Sequence, residues 1–130
     1  MTQEDKALLL KDLCARLPYG VKMIDTEPYS AEHNPILTLS YISADNGIGC
    51  RAGKGVMATS LGSIKPYLLP LSSMTEDQSK VYHEMIKGMF GTSALINFEV
   101  LTDFFNSNHL DYRGLIKMGL AIDATGLNIY

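Results

Sequence analysis

Apolar residues recur at helical spacing in three stretches, and short branched runs lie between the first two. Within residues 2–17, Leu9, Leu10, Leu13, Cys14 and Leu17 fall on one stripe, which leaves Lys6, Lys11 and Asp12 on the wetter side. Thr2 and Asp5 make a capping box, because each side chain can accept the other residue's free backbone N–H. Glu4 and Asp5 also suit the positive end of the helix dipole. Pro18 disfavours helical geometry at Leu17, so the helix stops there and Gly20 allows the chain to reverse.

Residues 19–24 and 36–42 are rich in branched and aromatic side chains bounded by Pro, Gly, Asn or Asp, which is strand composition. Asp45, Asn46 and Gly47 predict a hairpin back toward Ile48, since Asn and Gly tolerate positive φ cheaply. Residues 56–59 add another short strand. Neither Pro66 nor Pro70 can donate to a ladder, so residues 64–71 are expected as an extended connector or a sheet edge.

Ser73 and Glu76 predict the start of a second helix, with Val81, Tyr82, Met85, Ile86 and Met89 at helical spacing until Gly88 and Gly91 interrupt. A third covers much of residues 93–107, with Asn97 as an alternative cap. It carries two stripes, Leu95, Phe98, Leu101 and Phe105 on one and Ile96, Val100 and Phe104 on the other. A helix apolar on more than one side is central to a core or covered by a partner. Ile96, Val100, Phe104 and Phe105 are therefore candidate interface residues. Around Gly119 and Gly126 the tail alternates small and aliphatic residues and is expected to return as a short extended segment. The sum is an α+β domain of 130 residues, an N-terminal helix and two later helices packed on a small antiparallel sheet or partial barrel.

Composition narrows the function classes only slightly. A 46% apolar share is that of a globular chain, and no apolar run approaches the ~20 residues that span a bilayer. Residues 2–6 are too polar for a secretory signal, so a cytoplasmic protein without a membrane partner is expected. Cys14 and Cys50 belong to no paired motif, which predicts neither a disulfide framework nor a zinc site, and Cys14 is expected to be buried. A net charge of −3 provides no general attraction to nucleic acid, although a local basic patch is compatible with it.

Several motifs fail on inspection. Gly49, Gly53 and Lys54 resemble a phosphate-binding loop, but the spacing is one residue short and Gly55 stands where a magnesium-binding hydroxyl belongs. His83 and Glu84 begin a zinc-helix pattern whose fifth residue is Lys87 rather than His. Ser60, Ser72, Ser73 and Ser79 lack a nucleophile-elbow setting. No cofactor motif is present, and none is expected to be bound.

Two candidate binding sites remain. After the third helix, Asn106, Asn108, His109, Asp111, Tyr112 and Arg113 crowd together. As a site, His109 would act as acid or base oriented by Asp111, Arg113 would hold an anion, and Tyr112 would stack or donate. As a helix end, Asn108 and His109 would terminate the helix, Asp111 would accept backbone N–H groups, and Arg113 would pair with a carboxylate such as Asp111 or Asp103. The second candidate is a glycine-rich arm with Arg51 and Lys54, and Lys65 beyond it, which could contact phosphate.

Residues 8–21 (LLLKDLCARLPYGV), 65–76 (KPYLLPLSSMTE) and 109–123 (HLDYRGLIKMGLAID) resemble a group of small uncharacterised proteins of gut Bacteroidales genomes, phages and mobile elements. The resemblance covers about a third of the chain, and residues 24–63 depart most from it. It implies an origin and no reaction or ligand. The residues thus favour a non-enzymatic binding or interaction protein, such as a phage or mobile-element accessory factor, with a protein partner or self-association. A small enzyme or nucleotide-binding protein using the His109 cluster is the alternative, and a nucleic-acid module using the Arg51 and Lys54 arm is a third.

Overall fold

At the N-terminus the capping box forms, with Asp5 N–H donating to Thr2 Oγ1 at 3.0 Å and Thr2 N–H to Asp5 Oδ2 at 2.9 Å. These bonds start α1 (Gln3–Arg16). The computed structural model describes residues 1–27, 36–53, 55–88 and 94–130, with the backbone alone for 88 and 94–97. Leu9 and Leu13 are wholly buried and seat α1 on the sheet. One residue past Leu13 the helix has turned by about 100°, so Cys14 is exposed, against its expected burial. Asp12 departs the other way: it was expected on the wetter side and is 0% exposed, as is Arg16.

A 3-10 turn, Leu17–Tyr19, occupies the first part of the expected strand, and Gly20 at φ 64° reverses the chain. The strands are β1 (Lys22–Asp25), β2 (Leu37–Ile42), β3 (Gly47–Ala52), β4 (Gly55–Ser60), β5 (Ile64–Leu68) and β6 (Ile122–Asp123). Among the described residues they form one six-stranded sheet in the order β4-β3-β2-β1-β5-β6, antiparallel except for the parallel β5–β6 pair. Asn46 takes φ 65° in the turn between β2 and β3, where the hairpin was expected.

The sheet curls strongly. In a flat sheet β4 and β1, three positions apart, would lie about 14 Å from each other. Thr59 of β4 nevertheless donates its hydroxyl to Asp25 Oδ2 of β1 at 2.8 Å. The 3-10 turn Leu61–Ser63 then carries the chain straight into β5, which pairs with the far side of β1. Pro66 therefore lies in an interior strand and not at an edge. Its missing N–H is tolerated because β6 pairs only with Tyr67 and Leu68, one residue further on.

Apolar residues of α1, β1, β2, β3, β5 and the tail make the main core, including Leu9, Leu13, Met23, Leu37, Leu39, Ile48, Ile64, Leu68 and Leu115. A smaller second core gathers Phe104, Phe105 and Leu110 under Met74, Tyr82, Met85 and Leu101. It joins α2 (Glu76–Gly88) to α3 (Ala94–Ser107). The cap of α2 is Thr75 with Gln78, each accepting the other's N–H, at 2.9 and 3.1 Å. Ser73 does not cap it, because its hydroxyl donates to Pro70 O within a preceding 3-10 turn. The expected positions Met89, Gly91, Ser93 and the cap role of Asn97 lie outside the described residues or side chains. Among the described residues no helix is long and apolar enough to cross a membrane.

Candidate functional site

The cluster after α3 is fastened to the sheet by its backbone. Leu69 N–H donates to His109 O and Asp111 N–H donates to Leu69 O, both at 2.8 Å, so residues 109–111 run beside the end of β5. His109 takes φ 58° to leave the helix. Asp111 is buried and accepts from Leu115 N–H at 2.8 Å and Ile116 N–H at 2.9 Å. Its carboxylate thus organises the turn that brings Leu115 into the main core.

Arg113 does not pair with Asp111 or Asp103. Its Nε lies 3.2 Å from Asp12 Oδ1 on α1, while Arg16 Nε donates to Asp12 Oδ2 at 2.8 Å. Arg16 also donates through Nη2 to Leu110 O at 2.7 Å. One buried carboxylate therefore joins two guanidiniums between the two cores. Tyr112 fills the space beside them, stacked on Phe105 at 5.0 Å and 17°, with Arg113 Cζ 4.8 Å and Arg16 Cζ 5.6 Å from its ring centroid. These contacts place cations over an aromatic face, which is attractive.

His109 lies apart from Asp111 in function. Its ring stacks on Tyr130 at 3.6 Å and 8°, and Tyr130 Oη is held between Lys22 N–H, which it accepts, and Tyr67 O, to which it donates. Burial, then the positive charges of Arg16 and Lys22, hold the imidazole down at about 4. Burial also pushes the Tyr130 phenol up to about 12. At neutral pH both are uncharged, and neither is poised for proton transfer near pH 7.

The four named side chains are thus spent on a turn, an ion pair and two stacks. None lines the open concavities of about 410 Å3 beside Lys6 and Gly62, about 450 Å3 along α2, or about 410 Å3 at Lys22 and Arg51. Nor do three His, Cys, Asp or Glu side chains gather anywhere among those residues in a metal-binding group.

Of the arm, Arg51 is exposed near the end of β3, opposite Val56, and Lys54 lies outside the described residues. Lys65 faces Ile24 in β5. Register adds two residues that spacing along the sequence could not connect: Lys22 faces Thr38, and Thr38 faces Arg51. On α3, Phe104 and Phe105 are 9% and 8% exposed in the second core, whereas Val100 is 45% and its neighbour Phe98 is 55% exposed. The side chain of Ile96 lies outside the description.

No family model, curated protein or solved structure matches the chain.

Proposed function

We propose that the chain is a non-enzymatic interaction protein whose contact surface lies on α3 around Phe98 and Val100. The observation that supports it is the uncovered apolar surface at Phe98 and Val100 on a helix whose other end is core. Residues two apart on a helix point to different sides, so Phe98 and Val100 leave two sides of the helix uncovered at that level. The groups that would carry an enzymatic reading, His109, Asp111, Tyr112 and Arg113, have structural work instead. The resemblance to phage and mobile-element proteins of Bacteroidales supports an accessory role of that kind.

A second copy of the chain is the first occupant to test, because an isologous α3–α3 contact would cover the same residues on both protomers. Sedimentation velocity over a range of concentrations should give a reversible dimer, and the Phe98→Ser, Val100→Ser double variant should remain monomeric, with an unchanged melting temperature at concentrations where the wild-type chain is also monomeric. A wild-type chain that stays monomeric to high concentration would discard self-association through α3.

A further inference from the structure

The outer face of the sheet, away from α1, carries a set of groups that neither α3 nor the buried ion pairs use. Lys22, Thr38 and Arg51 stand in one row across β1, β2 and β3. Lys22 Nζ donates to Thr38 Oγ1 at 3.0 Å, and with Ile36 and Gly53 the three line an open concavity of about 410 Å3. Two cations therefore sit two strands apart, about 10 Å by strand spacing. Lys65, opposite Ile24, shares that face. Among the described residues no carboxylate comes within ion-pair distance of these three.

Beside the row lies an aromatic ring placed there by an irregularity. Leu39 faces Cys50 and Tyr41 faces Gly49, so Ser40 is an extra residue in β2. A regular two-residue period would send Tyr41 to the core with Leu39, and the bulge turns it to the outer face instead. Its ring covers Gly49 so closely that a Cβ there would meet Tyr41 Cε1 at 2.0 Å. Only glycine permits this. Tyr41 still leaves 46% of its surface to solvent, and Arg51 is its neighbour two residues along β3 from Gly49.

We propose that this face binds single-stranded nucleic acid, with Tyr41 as the stacking platform for a base and Arg51 and Lys22 holding backbone phosphates. Every base has a π-face for a tyrosine ring, and each phosphate offers its charge to a cation. A duplex buries its base faces in its own stack and cannot use Tyr41. The net charge of −3 opposes approach from a distance, so the attraction is local and salt-sensitive.

Fluorescence anisotropy with the full chain and a labelled oligo(dT) of about 12 nucleotides, a length within reach of such faces, tests this. Binding at low salt should fall with a log–log slope of about −1.4, or about −0.7 for each of two phosphate contacts. Arg51→Gln should reduce the slope by about 0.7. Tyr41→Ala should weaken binding about 5- to 150-fold, the range for losing one stacked base, and Tyr41→Phe should retain it. If Tyr41→Ala fails to fold, Tyr41→Leu replaces it, since leucine covers Gly49 without a π-face. Absence of binding at low salt, wild-type affinity in the folded Tyr41→Ala or Tyr41→Leu variant, or equal affinity for a duplex of the same length would each overturn the proposal.

Discussion

Where α1 meets the sheet, buried carbon comes from the helix, four strands and the tail, and pairing on both sides fixes the register of β1, β2, β3 and β5. Where α2 meets α3, the described side chains of α3 find cover at Leu101, Phe104 and Phe105, while Val81, Phe98 and Val100 face solvent. Two apolar stripes along a helix therefore do not imply two buried stripes. Burial follows from what stands opposite, and Phe98 and Val100 lie beyond the surface that α2 and residues 109–113 offer. Between the halves lies a polar join, Asp12 with Arg16 and Arg113, that is tolerated because each charge has an opposite within 3.2 Å.

That join should be the most sensitive point. Asp12→Ala leaves two guanidiniums without a carboxylate, one of them wholly buried, and is expected to cost about 3–5 kcal/mol in denaturant melts. Arg113→Ala should cost less, about 1–2 kcal/mol, because Arg113 keeps 18% of its side chain in solvent and Asp12 retains Arg16. Equal losses for the two variants would show that the join is not anchored on Asp12.

The contrast between the halves is sharpened by one apolar truncation in each. Leu13→Ala, at a wholly buried site in the main core, should lose about 2–5 kcal/mol. Phe98→Ser, measured at concentrations where the chain is monomeric, should change stability by under about 0.5 kcal/mol, as surface substitutions do. A large loss at Phe98 would mean that the α2–α3 half has cover of its own.

A further effect is a pH dependence. His109 is held down at about 4 when folded, below the ordinary value of 6.5 that it regains on unfolding. Between those values the unfolded chain binds the extra proton, so stability is full above about pH 6.5 and declines as pH falls toward 4. Because His109 is only part-buried, the loss should be about 1–2 kcal/mol, less than the full shift implies. His109→Asn, which accepts positive φ, should flatten the stability profile in that window; an unaltered profile would assign the slope to other groups.

Features set by neighbours in sequence were legible: the Thr2/Asp5 cap, the Asn46 turn and the short strand over residues 56–59. Those set by distant partners were not. Asp12 reads as a wet-face residue until Arg113 and the Leu110 carbonyl arrive beside Arg16. The cap of α2 moved to Thr75 because Ser73 found a nearer acceptor in Pro70 O. Of the candidate sites, Arg51 was evident from its charge, but Lys22, Thr38 and Tyr41 join it only through register. The bulge at Ser40 that re-aims Tyr41 leaves no signature in the hydrophobic pattern.

The bond from Arg16 to the Leu110 carbonyl spans 94 residues and so carries a consequence for synthesis. At roughly 5–20 residues per second, Leu110 leaves the ribosome about 5–20 s after Arg16. Through that interval α1 can form, but its Asp12–Arg16 pair is cheap only while water surrounds it. Docking of residues 109–113 beside Leu69 supplies the missing carbonyl and the second guanidinium in one event. The helix made first therefore completes its polar contacts only once residues 109–113 have been made, and a nascent chain shorter than this should hold α1 loosely against its sheet.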